Sequence, residues 1–426
     1  MVYPRMLRIR QQFDCPKVND VAQSVHQELQ RLDLSRTISP GQTVAITAGS
    51  RGIANIAVII KSIAEYIQTL GATPFVVPAM GSHGGGTAEG QREIIESYGI
   101  TEEFVGAEIR SSMETTILAN TPEGIPVHFD KNASQADHVI VCGRIKPHTG
   151  FVGEIESGLM KMMLIGLGKH RGASIYHRAI MNYSFGQIVR SVADIVLQHG
   201  KVVAGLGIVE NAYDETGLIA AVAPHEFEVR EKELLVKAKE WMPSLPFQEV
   251  DLLIVDEIGK NISGSGMDTN IIGRKYYNDQ AAPDEFPKVK RIFVRDLTAE
   301  THGNACGIGM AEFCSERLVE KANLQATYIN SLTGGSPAAA SIPMHFKTDQ
   351  EVLDASLPTI GLTEAPDARI IRIKNTLDLG EVDVSETFLS EIGNRDDLTV
   401  IEEPTNLTFD SNGNLPPMTM NGNGHG

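Results

Sequence analysis

Residues 146–177 read KPHTGFVGEIESGLMKMMLIGLGKHRGASIYH, and the least polar run of this stretch holds one lysine. That lysine, Lys161, lies 13 positions after His148 and 16 before His177. A buried lysine must be paired or lose its proton, and a neutral amine is a nucleophile open to covalent modification. The bland alternative is a lysine whose stem covers apolar surface while its ammonium reaches water. His148 has a counterpart in His83 of GSHGGGTAEG. Two histidines flanking one cavity suit acid–base work near neutral pH, whereas either alone reads equally well as a plain loop residue. Arg51, in TAGSRGIAN, could hold negative charge beside the N–H groups of a strand-to-helix loop, or simply sit on the surface. The glycines there miss the G-x-G-x-x-G spacing, and none of the nine tyrosines has a lysine four residues later, which argues against a nicotinamide fold.

Such residues need elements to hold them. Val21, Val25, Leu29 and Leu32 share one helical face, and ANIAVIIKSIAEYIQTLG reads as a helix closed by Gly71. The runs TVAIT, TPFVVPAM, ADHVIVCG and KVVAGLGIV read as short buried strands. Alternation of strands with helices predicts an α/β fold with a mostly parallel sheet, whose ligands bind at the carboxyl ends of the strands. The loops following the four strands carry Arg51, then His83, then Arg144, Lys146 and His148, then Glu210 and Asn211. A second α/β block begins near Pro246, with strands in VDLLIVDEIG, VKRIFVRDLT, ARIIRIKNT and LTVIEEP, and a helix around AEFCSERLVEKA. The expected organisation is therefore an N-terminal α/β domain over 1–245 and a smaller α/β domain over 246–405. The active site is expected in the interdomain cleft. The Asn-, Gly- and Pro-rich tail, 406–426, is expected to be largely disordered.

Composition narrows the class. Of 426 residues, 42% are hydrophobic and 21% charged, as in a globular protein, and 37 basic against 54 acidic residues give a net charge of −17. That balance disfavours nucleic acid or an anionic membrane as partner, yet leaves room for a small anionic substrate in a locally basic cleft. No run approaches the ~20 apolar residues of a membrane helix, and no signal-peptide core is present. Cys15, Cys142, Cys306 and Cys314 lack CxxC spacing, so reduced thiols in a cytoplasm are the simplest reading. His26, His128, His138, His199, His225, His302, His345 and His425 are assigned no role. The acidic run DETGLIAAVAPHEFEVREKELL reads as a solvated face, while Glu154 and Glu156 lie inside the stretch of interest.

Taken in order, SR (Ser50, Arg51), GSHGGGT, KPH, SGLMK and His177 resemble the motifs of the nickel-dependent lactate racemases and their 2-hydroxy-acid racemase and epimerase relatives. The resemblance implies a nickel-pincer nucleotide (a pyridinium-3,5-bisthiocarboxylic acid mononucleotide carrying Ni(II)) joined covalently to Lys161, with His177 as the protein's metal ligand. It implies His83 and His148 as the acid–base pair, and hydride transfer to and from the cofactor as the route of inversion. Ser50, Arg51 and Lys146 would line the cofactor, and cofactor-assembly enzymes would be partners; homo-oligomerisation is left open. Two departures stand out: Ala48 replaces an acidic residue of the first loop, and DTNIIGRKYY keeps Asp268 and Asn270 but has Ile272, Gly273 and Tyr276 where lactate-holding Tyr, Gln and Lys would fall. Lactate itself is therefore not expected; Arg51, Arg274 or Lys260 would take the carboxylate of a larger 2-hydroxy acid, Lys275 being a further candidate. Alternatives are a pyridoxal-phosphate lysine enzyme and a non-catalytic cofactor- or anion-binding paralogue.

Overall fold

The computed structural model describes residues 1–50 and 52–418. The chain divides into two compact units, Asp14–Met242 and Met1–Phe13 together with the chain from Pro243 onward.

In the first unit the strands run, across the sheet, Glu108–Ile109, Thr73–Pro78, Thr43–Ala48, His138–Arg144, Val202–Glu210 and Thr216–Val222. The first five are parallel and only the last is antiparallel. Their β-branched runs are buried on both faces, as parallel strands must be. Alternate residues feed opposite layers. Ala45, Phe75, Val77, Val139 and Val141 face a core shared with the helices Phe185–His199 and Phe227–Trp241. Val44, Ile46, Val76 and Ile140 face a core shared with Val21–Arg31 and Ile56–Thr69. On the first of these helices Val25 and Leu29 are buried, in line with the predicted face, while Val21 and Leu32 are half-buried.

The acidic run read as a solvated face is a correction. Thr216–Val222 is an edge strand buried along most of its length, and Glu231 of the following helix is 1% exposed. A hairpin of Thr115–Asn120 and Pro126–Asp130 was likewise not anticipated.

The second unit's sheet has the order Met344–Phe346, Phe313–Ser315, Lys288–Val294, Glu249–Val255, Ile370–Ile373, Glu381–Ser385, Met6–Gln11 and Leu398–Thr405. Its first five strands are parallel and the remaining pairings antiparallel. AEFC, expected to begin a helix, supplies the strand Phe313–Ser315; the helix is confined to Glu316–Lys321. Within the stretch expected to be disordered, Leu415 is buried, its N–H donates to Asp349 Oδ2 at 3.0 Å and its carbonyl accepts from Arg295 at 2.6 Å. Residues 419–426 lie outside the described residues.

Candidate active site

The segment carrying Lys161 lies against the carboxyl ends of three parallel strands, and glycines mark the contacts. A Cβ on Gly49, after the strand Thr43–Ala48, would come 3.2 Å from the Met162 methyl; one on Gly143 would come 3.3 Å from the same carbon. One on Gly166 would sit 2.8 Å from the Ala79 carbonyl, and one on Gly81 2.9 Å from Ile165. Leu159–Lys161 is a single α-turn that continues as a π-helix over Met162–Gly166, a geometry often met at functional sites.

After the strand Thr73–Pro78 the chain turns through Gly84, Gly85 and Gly86, each with φ between +65° and +67°, a region open to glycine. Gly84 also lies so close to Gly90 that a Cβ would meet its backbone at 2.5 Å. This turn carries His83, exposed, whose Nδ1 is 2.8 Å from the Met80 carbonyl. A carbonyl can only accept, so Nδ1 bears the proton and the lone pair falls on Nε2, the form of a base.

His148 is held the opposite way. Its Nδ1 accepts from the Gly150 and Phe151 amides at 2.9 and 3.0 Å, which places the proton on Nε2. Its own N–H donates to Glu156 Oε2 at 2.8 Å, and Glu156, 1% exposed, takes Lys239 Nζ on its other oxygen at 2.7 Å. The ring stacks on Phe151 at 4.2 Å, Phe151 stacks on Phe185 at 4.0 Å, and Lys161 Nζ lies 5.5 Å from the Phe151 centroid.

Lys161 is half-buried. Desolvation first, and the Lys161 charge second, hold the His177 imidazole below its usual pKa, although the ring still reaches solvent. The two side chains therefore sense each other, and His177 is biased towards the neutral form that binds metals. Among the described residues no three His, Cys, Asp or Glu side chains converge as a metal-binding group.

The lysine buried outright is Lys169, 0% exposed, which the sequence reading passed over. It opens the helix Lys169–Ala179 that carries His177, ion-pairs with the equally buried Asp130 at 2.9 Å and donates to the Pro78 carbonyl. That clamp ties the helix to the end of the strand Thr73–Pro78.

Residues 5–186 match the family model of the lactate racemase N-terminal domain. That match covers less than half of the 426-residue chain. Among solved structures, the lactate racemase apoprotein from Thermoanaerobacterium thermosaccharolyticum aligns with a TM-score of 0.53 at 13% identity, over 87% of this chain and 94% of its own. A structural-genomics protein from Thermotoga maritima gives a TM-score of 0.48 at 11% identity, over 75% of this chain and 81% of its own. The likeness to the racemase apoprotein is one of fold. No curated protein matches the sequence.

Within the matched segment, Ser50, His83, Lys146 and His148 stand on loops at the carboxyl ends of parallel strands, with the segment carrying Lys161 packed across them. The Ser50 carbonyl accepts from Tyr98 at 2.9 Å, and the Lys146 amide donates to Ser157 at 2.9 Å. Arg144 pairs with Glu210, which also accepts from the Ala54 amide at 2.7 Å. Arg51 lies outside the described residues. In the other unit, Arg274 is 1% exposed and ion-paired with Glu312 at 3.2 Å, and Lys260 donates to the Gly264 carbonyl and to Asn330 Oδ1 at 3.0 Å.

Proposed function

We propose that the chain is a racemase or epimerase that inverts the hydroxyl-bearing C2 of a 2-hydroxy acid with the help of a nickel-pincer nucleotide tethered to Lys161. The lactate racemase N-terminal domain supports racemase or epimerase activity in general. The observation that carries the finer reading is the segment of Lys161 packed against the carboxyl ends of the parallel strands, with His177 on the helix that follows it. A half-buried amine suits the tether and a neutral imidazole suits nickel, whose remaining ligands would come from the nucleotide. When bound, that group supplies a hydride acceptor and donor, so C2 can become planar as a keto acid without a carbanion.

The chain's own part is proton movement and placement. In its neutral form, with Nδ1 donating to the Met80 carbonyl, His83 is assigned the role of base toward the substrate hydroxyl; neutral His148, whose Nδ1 accepts two amides, is assigned the role of donor to the substrate oxygen. The Gly150 and Phe151 amides fix the second ring, and Glu156 holds the backbone N–H of His148. Ser50 and Lys146 are assigned to the nucleotide, and Arg51 to negative charge on cofactor or substrate. Because Arg274 is enclosed and paired with Glu312, Lys260 and Lys275 are the cations kept for the carboxylate from the run 260–276. Without the Tyr, Gln and Lys of the lactate loop, a larger 2-hydroxy acid, such as a sugar acid, is the proposed substrate.

The test is protein made together with cofactor-assembly enzymes, followed by intact mass, nickel content and turnover on a panel of 2-hydroxy acids. Wild type should carry an adduct at Lys161, and Lys161→Arg should carry none and be inactive. Normal turnover in Lys161→Arg would remove the tether and the reading with it; a pyridoxal-type mass and visible spectrum would do the same.

A further inference from the structure

The turn Leu159–Lys161 begins at Gly158, which offers no side chain to its first amides. The missing acceptor comes from the helix Phe227–Trp241. Glu231 Oε2 accepts the Met160 N–H at 2.8 Å. The other oxygen, Oε1, is buried with no hydrogen-bond partner among the described residues, and a Cβ on residue 158 would come within 2.6 Å of it. Glycine at 158 is therefore the residue that leaves space for this carboxyl, which explains a position of SGLMK that carries no chemistry of its own. The same helix sends Lys239 to Glu156, which holds the His148 amide. One helix thus braces both the turn that carries the lysine and the loop that carries the histidine.

We propose that Glu231 is a positioning residue for Lys161, fixing the lysine-bearing turn by accepting the Met160 amide in its opening turn. A buried carboxyl retained beside apolar neighbours is costly, and hydrogen bonds to backbone donors are what offset that cost. The role of Lys161 as tether rests on the proposed function; the positioning of Lys161 by Glu231 does not.

The experiment uses the full chain without cofactor. Hydrogen exchange at the Met160 amide is measured together with the rate at which an amine-acylating reagent labels Lys161, read by peptide mass spectrometry. In Glu231→Ala the Met160 amide should exchange at least tenfold faster and the labelling rate of Lys161 should change by at least threefold. Core amides at Ile188 and Val192 should keep wild-type protection. Glu231→Gln, whose carbonyl oxygen can accept the same amide, should stay within threefold of wild type on both measures. Should the alanine variant lose global protection, Glu231→Met, which fills the space without an acceptor, carries the same expectation. Unchanged exchange and labelling in a folded Ala or Met variant, or a Gln variant that behaves like Ala, overturns the proposal. In parallel, the fraction of adduct at Lys161 after co-production with assembly enzymes should fall at least fivefold in Glu231→Ala. A wild type with no adduct would sink the proposed function while leaving the exchange result to decide the positioning role.

Discussion

Replacing Glu231 by glutamine should change how stability depends on pH, and the size of the change is set by its burial. Burial pushes the Glu231 carboxyl from its ordinary 4.5 up to about 7, opposed by the amides of Met160 and Leu159. A carboxyl raised in the folded state holds its proton more tightly there than in the unfolded chain. Its contribution to stability is therefore fully present below pH 4.5, shrinks as pH rises, and is gone above about 7. At ~1.4 kcal/mol per pH unit, linkage gives a loss of about 2–3 kcal/mol between pH 5 and pH 8. Glutamine does not titrate, so the stability difference between wild type and Glu231→Gln should move by that amount in favour of the variant as pH rises. The assay is urea unfolding at pH 5, 6, 7 and 8. It is followed by tryptophan fluorescence, because the chain's one tryptophan, Trp241, ends the same helix. Taking the difference between variants cancels the other titrating groups. A difference constant to within about 0.5 kcal/mol over that range would refute the account of Glu231 as a carboxyl buried against its charged form.

Lys169→Met should cost about 3–5 kcal/mol in the same unfolding assay, because it strands the fully buried Asp130; Lys169→Met with Asp130→Asn should recover at least half, and a single-variant loss below about 1 kcal/mol counts against the clamp. His83→Ala and His148→Ala should each lower turnover of the loaded enzyme by about 10²-fold or more with nickel content unchanged, and a loss below about tenfold removes that histidine from the acid–base pair. His177→Ala should keep the Lys161 adduct while nickel per protein falls, measured by intact mass and elemental analysis; full nickel retention would show that His177 is not the ligand.

Much of the lysine-bearing site was legible because parallel sheets put loops at predictable ends. His83, Lys146 and His148 stand out in the polar loops that succeed the apolar runs, and all three lie at strand ends in the fold. The depth of the lysines was not legible. Lys161 sits in the more apolar run yet is half-buried, whereas Lys169 in GLGKHRG is enclosed by Asp130 and the Pro78 carbonyl, neighbours far away in sequence. Glu231 was lost in a charge run, although spacing offered a signal: it stands four residues from Phe227 and three from Leu234, both buried, on the inward face of its helix. The tautomers of His83 and His148 depend on backbone groups whose positions only the fold supplies.

The strand Met6–Gln11 has a consequence for how the chain is made. Met6 pairs with Ser385 on one side and Thr405 on the other, so the strand that carries it has neither neighbour until residues 381–405 exist. Loop-closure entropy makes such distant pairings slow, whereas the strands of Asp14–Met242 are contiguous in sequence and can assemble as soon as they emerge from the ribosome. During synthesis the early strand waits as an open edge, with Arg8 and Arg10 alternating along it as charges that discourage pairing with a stranger, before each meets its acid, Asp383 and Glu381, across the finished ladder.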